Sequence, residues 1–229
     1  MTSEPDYFIG NFPLILKRHP RAKHLKLRFE AKSCSAILTL PTGVSDRKAV
    51  QFAKQHLDWI QDQYDKSPEA TPLGAGEVIP YRGKDTEIMH NPDLPATVQI
   101  KDGRLIVGGP LSGFETRLLN WLKKQARRAL AKAVQEFEPT LGQRPHKIMI
   151  RDTSSRWGSC SSRRTLSFSW RLIMAHPDIL QYVVAHEMAH LVEMNHSPAF
   201  WQVVEKLYPD WQTPRRWLKT EGSRLMLIG

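Results

Sequence analysis

The sequence predicts an α+β protein, with a β-rich first part followed by a helix-rich second part. Three observations carry this. Leu25, Leu27 and Phe29 alternate with charged residues, as in a strand with one wet face. Asp102-Gly103 separates two short apolar runs, 97–100 and 105–107, the pattern of a β-hairpin. From Phe114 onward apolar residues recur every three or four positions, the period of a helix.

In chain order, 35–40 is a partner for the strand at 25–29, and Pro41-Thr42-Gly43 turns the chain. Ser45 then caps a helix whose Val50, Ala53, Leu57, Ile60 and Tyr64 share one face, and Ser67-Pro68 ends it. The hairpin follows. Gly108-Gly109-Pro110 reads as a boundary, dividing the chain into a β-rich domain with one helix, 1–110, and a second domain, 111–229. The second domain opens on a long helix from about Gly113 to Glu138, stopped by Pro139. Phe114, Leu118, Leu122, Ala126, Ala129, Ala133 and Phe137 form its core stripe. Lys123, Lys124, Arg127, Arg128 and Lys132 crowd its other side, a ridge more typical of a solvated face than of a binding surface.

His146 to Arg151 reads as a strand, and 154–162 as a polar loop around Trp157. The next strand alternates, with Leu166, Phe168, Trp170 and Leu172 facing one way and Thr165, Ser167, Ser169 and Arg171 the other. If this strand is an edge, it can hold an extended peptide near Ser167 and Ser169. Pro177 and Asp178 suit a helix start, and that helix should reach Met194. Two further helices follow, one opened by Ser197-Pro198 and one by Thr213-Pro214, with Trp201 and Trp217 as apolar anchors.

Charge and cysteine usage bound the setting. Residues 1–110 hold 15 Lys/Arg against 13 Asp/Glu, a net +2, whereas 111–229 hold 18 against 10, a net +8. A basic second half is compatible with DNA or another polyanion, and equally with a solvated surface. No uninterrupted apolar run opens the chain, so neither a secretory signal nor a membrane span is expected. Two distant cysteines, Cys34 and Cys160, suggest a reducing, cytoplasmic setting.

The chemistry is concentrated in His186-Glu187-Met188-Ala189-His190. Helical positions four apart lie on one face, about 6 Å apart along the axis. His186 and His190 can therefore offer two imidazole nitrogens to one metal ion, an arrangement suited to zinc. Glu187 stands beside the first, where a carboxylate can take a proton from water. A third ligand must leave one position open; His196 is the choice and Glu205, on the following helix, the runner-up. The step from His190 to His196 equals that of the signature HExxHxxGxxH, but Glu193 stands where the glycine would be and no Met-turn is evident. The reversal is instead expected at Asn195, which tolerates the left-handed conformation. The competing reading is a pair of core histidines bonded to backbone carbonyls. Cys160 is most simply structural, a fourth ligand or a redox-sensitive thiol being the alternatives. His176 reads as a helix-start residue.

Three stretches together carry a family resemblance: Ser155-Arg156-Trp157-Gly158-Ser159-Cys160, then Val183 through His190, then Asn195-His196-Ser197-Pro198 with Phe200-Trp201. They resemble the YgjP-like metallopeptidases, and the likeness is dense from about residue 145 to 219. The resemblance implies a zincin-like catalytic domain, zinc on His186, His190 and His196, and Glu187 as acid/base. The family looks related to SprT-like and Spartan-type zinc proteases, which act on proteins linked to DNA. Substrate does not transfer with fold. The expected function is a zinc-dependent peptidase of a peptide or protein substrate, with an activated water attacking the carbonyl. Arg156 and Tyr208 are candidates for steadying the oxyanion. Two rivals are a zinc hydrolase of a non-peptide amide and a nucleic-acid-binding module with a structural zinc.

Overall fold

The computed structural model describes residues 5–66, 70–153 and 155–229, with side chains at all of these except residue 32. The chain forms two compact units, one ending at Ala70 and one spanning Thr71–Gly229.

In the first unit β1 (Tyr7–Ile9), β2 (Phe12–Arg18), β3 (Lys26–Glu30) and β4 (Ser35–Leu40) form a sheet in the order β1-β2-β4-β3. The expected pairing of β3 with β4 is present and antiparallel, Lys26 opposite Thr39. The expected single helix is two, α1 (Asp46–Lys54) and α2 (Leu57–Asp65). Ser45 caps α1 by accepting from the Lys48 N–H. His56 interrupts the helix with φ −110° and ψ 20°, its Nδ1 2.8 Å from the Phe52 carbonyl. The helix end expected at Ser67-Pro68 lies outside the described residues. Leu14, Leu38, Leu40, Ala53 and Ile60 are among the buried residues of this unit's core.

The second unit begins with β5 (Val78–Tyr81), β6 (Lys84–Asn91), β7 (Val98–Lys101) and β8 (Arg104–Gly108), ordered β5-β6-β8-β7. Asp102 and Gly103 both take positive φ, 50° and 75°, in the hairpin between β7 and β8. The compact units differ from the division expected at residue 110, and packing gives the reason. Ile79, Ile88, Leu105 and Val107 enter the same core as the long helix α3 (Phe114–Leu141). Gly108-Gly109 is no linker: a Cβ at 108 would stand 2.0 Å from the Pro95 carbonyl, and one at 109 would stand 2.7 Å from the Ala96 Cβ. These glycines permit close backbone approach.

α3 runs two residues beyond Pro139 and ends at Gly142, in the left-handed region, whose N–H returns to the Glu138 carbonyl. A proline this near the C-terminus disturbs only the last turn. Next come β9 (Lys147–Arg151), β10 (Gly158–Cys160) and β11 (Thr165–Ser169), in the order β10-β11-β9. The strand expected as an edge, β11, is therefore central, and β10 and β9 are the edges. Leu166 and Phe168 are buried as expected, but so is Arg171, 1% exposed. The strand gives way to a 3-10 turn, Trp170–Ile173, and strict alternation fails there. The Arg171 guanidinium is satisfied by the Ile228 and Gly229 carbonyls, each at 2.9 Å, and by Asp152 at 2.5 Å. Four helices complete the unit: α4 (Pro177–Ala189), α5 (Pro198–Leu207), α6 (Gln212–Thr220) and α7 (Gly222–Leu225). Among the described residues no helix is long and apolar enough to cross a membrane.

Candidate metal centre

α4 starts as its sequence predicts, with Pro177 in the first turn and His176 as its cap, accepting from the Asp178 N–H. It ends at Ala189 rather than Met194. Past that point the chain tightens, with Leu191 bonding back to Met188 and Val192 to Ala189. His190 keeps right-handed helical dihedrals at the helix end, so its alignment with His186 survives. The turn toward α5 is made without a left-handed residue; the expected reversal at Asn195 does not occur, since Asn195 is not among the positive-φ residues. Ser197 then caps α5 through the Phe200 N–H, with Pro198 in its first turn.

These elements bring His186, His190 and His196 together, with one ligand atom from each lying within 4.8 Å of the others. Neither Glu205 nor Cys160 joins the group. His186 and His190 are half-buried and His196 is exposed. His190 Nδ1 lies 2.9 Å from the Glu193 carbonyl. A carbonyl only accepts, so Nδ1 carries the proton and the Nε2 lone pair is left for a ligand role. The Nε2 atoms of His186 and His196 are 3.1 Å apart. Nitrogens 2.0–2.1 Å from a tetrahedral ion stand about 3.3 Å apart, so this spacing fits zinc. Burial, His190 and His196 lower the His186 pKa to about 3, and burial lowers that of His190, keeping both rings neutral as ligation requires. Phe200 packs against all three imidazoles at centroid distances of 4.5 to 4.9 Å. The donor set therefore fits a divalent ion.

Glu187 is 6% exposed. Burial raises its pKa to about 8, with the Arg156 charge opposing. Its room comes from a residue whose role the motif alone does not explain. A Cβ on Gly158 would stand 2.6 Å from both Glu187 Cγ and Oε1, so only glycine lets edge strand β10 lie against this carboxylate. Cys160, two residues on, feels the same carboxylate; burial and Glu187 together push its thiol pKa up.

The two oxyanion candidates part company. Arg156 is close enough to oppose the Glu187 shift, whereas Tyr208 interacts with Asp178, at the opposite end of α4, and with Asp210. Sequence reasoning missed Tyr182 and Arg215. The Tyr182 ring lies 6.0 Å from that of His186, and burial pushes its hydroxyl pKa up to about 12. Arg215 sits 4.6 Å over the Trp201 ring, which stacks on Trp211 at 4.5 Å, and its charge reaches His186. For Arg215 a signal was present, in the run Arg215-Arg216-Trp217 that mixes cations with an aromatic.

A family model described as YgjP-like, metallopeptidase domain, matches residues 23–221. No curated protein matches the chain. Among solved structures, the metallopeptidase zymogen abylysin of Pyrococcus abyssi is similar at 27% identity over 42% of this chain and 95% of its own, with a TM-score of 0.35.

Proposed function

The chain belongs to the YgjP-like metallopeptidase family and is a peptidase, and we propose that zinc is its metal, held by His186, His190 and His196, with Glu187 as general base. The observation that carries this reading is the convergence of three histidine nitrogens within 4.8 Å beside a buried carboxylate. A divalent ion bound there supplies Lewis-acid chemistry. The chain's own groups do the rest. Glu187 takes a proton from the attacking water and returns it to the leaving amine nitrogen. The Glu193 carbonyl fixes the tautomer of His190. The free edge of β10 offers backbone groups to an extended peptide, placing its carbonyls beside Glu187. Arg156 is the group best placed to meet negative charge developing on the substrate oxygen.

Family membership sets aside the non-peptide amide hydrolase. A closed structural site would need a fourth ligand, and Cys160 lies outside the histidine group. Metal analysis of purified variants tests the assignment. His196→Ala should lose its one equivalent of zinc and Glu205→Ala should keep it; the reverse result would transfer the third ligand to Glu205.

A second reading, that the substrates are DNA-associated proteins, rests on the α3 ridge. Lys124, Arg127 and Arg128 are exposed and make no ion pair among the described residues; Lys132 alone meets a carboxylate, Glu136, at 3.7 Å. Unpaired cations in a row along one helix suit a phosphate backbone. The free cysteines are in keeping with a cytoplasmic setting.

A further inference from the structure

A cavity of about 430 Å³ opens beside β10, its serine side chains reaching it from the face of the sheet away from α4, with Gly158 and Phe168 also in its lining. Register and burial show this. Leu166 and Phe168 of β11 point into the core, and Cys160 and Gly158 stand opposite them on β10. Gly158 faces Glu187. The residues between, Ser159 and Ser167, stand opposite each other and point the other way, where both line the cavity. Arg151, level with Ser169 in the parallel β9-β11 pair, lies on that same face and also lines it.

The Arg151 charge in this cavity is uncompensated. Among the described residues, exposed Arg151 makes no ion pair and the Ser159 and Ser167 hydroxyls make no hydrogen bond, whereas the charge of Arg156 bears on Glu187. The carboxylate in the lining, Asp152, is bonded to the buried guanidinium of Arg171 at 2.5 Å. The wall is held in shape beforehand. Thr153 Oγ1 donates to the Arg156 carbonyl at 2.7 Å, and the Ser169 N–H donates to the Trp157 carbonyl at 2.9 Å.

We propose that this cavity is a subsite for an acidic side chain of the substrate, with Arg151 as the selecting residue. The proposal rests on the peptidase reading above, and it follows from strand geometry. A peptide paired with β10 sends successive side chains to opposite faces of the extended sheet. Those on the Gly158 face lean toward Glu187 and the histidines. The alternate ones lie over the cavity, where an Asp or Glu carboxylate meets a guanidinium able to grip both of its oxygens, with two serine hydroxyls to complete the cradle. A lysine at that place would meet like charge.

Binding and cleavage read separately. Fluorescently labelled alanine-based octapeptides carrying one Glu, Gln or Lys at successive positions are titrated by anisotropy against Glu187→Gln protein, and cleaved by the zinc-loaded wild type. At one position Glu should bind about tenfold or more tighter than Lys, the worth of a charge-assisted pair. Arg151→Gln should erase that gap and Arg151→Glu should invert it, with an unchanged thermal unfolding midpoint and zinc content as the check on folding. Equal affinity for Glu and Lys at every position, or a Glu preference that survives Arg151→Glu, overturns the subsite. Charge-selective binding with no cleavage by the wild type would uphold the subsite and sink the peptidase reading instead.

Discussion

Two helices of the second unit, α3 and α4, face the same core and treat polarity in opposite ways. α3 buries seven of its 28 residues on one stripe and turns its cations to solvent. α4 buries nine of 13, so little of it is left to be wet. Glu187 is drawn inside with its apolar neighbours, and burial moves its pKa by several units. Amphipathic patterning explains α3 and makes it replaceable in detail. The polar groups of α4 sit where patterning alone would forbid them, and a functional site is the reason to tolerate that.

Substitution should widen this contrast. The largest effect is expected from Glu187→Gln, which keeps the side chain's shape and removes its proton acceptor. Peptide hydrolysis should fall by about 100-fold or more with zinc content unchanged. Undiminished turnover would mean that burial of Glu187 is incidental. Gly158→Ala should come next, because its methyl group must displace the Glu187 carboxylate. Overpacking of this kind costs about 1–3 kcal/mol, and a turnover loss of about tenfold with zinc retained is the expected kinetic result. Wild-type turnover in that variant would show that the carboxylate has room to spare. The smallest effect should follow Lys123→Gln, Arg127→Gln and Arg128→Gln together. Thermal unfolding should shift by no more than about 0.5 kcal/mol, since all three lie outside the buried stripe. If α3 meets DNA, the same variant should flatten the salt dependence of binding in a low-salt anisotropy titration. No DNA binding by the wild type at micromolar protein would leave the ridge as solvated surface.

The sequence was legible where a local rule has one outcome. Asp102-Gly103 makes its hairpin, Ser45 and Ser197 cap their helices, and Pro177 opens α4. That His186 and His190 stand together was legible for the same reason, since a spacing of four on a helix fixes a direction. It was misleading where one residue type serves two purposes. Gly108-Gly109 looks like a boundary and is a close contact with 95–96. Arg171 looks like the wet side of a strand and is a buried clamp, because the strand stops at Ser169, two residues before it. β2 escaped because Phe12–Arg18 carries Pro13 and no clean alternation. Gly158 was visible as a letter, but its meaning needed Glu187 beside it.

The loop from His190 to His196 bears on how such centres are found in sequences. In HExxHxxGxxH a glycine occupies the third place after the second histidine. Here Glu193 occupies it, and what this residue gives to the centre is its carbonyl, bonded to His190 Nδ1. Every amino acid carries that group. The constraint at 193 is thus on where the peptide plane points, and a search that scores side-chain identity at this place penalises a chain that orients its histidine through the backbone.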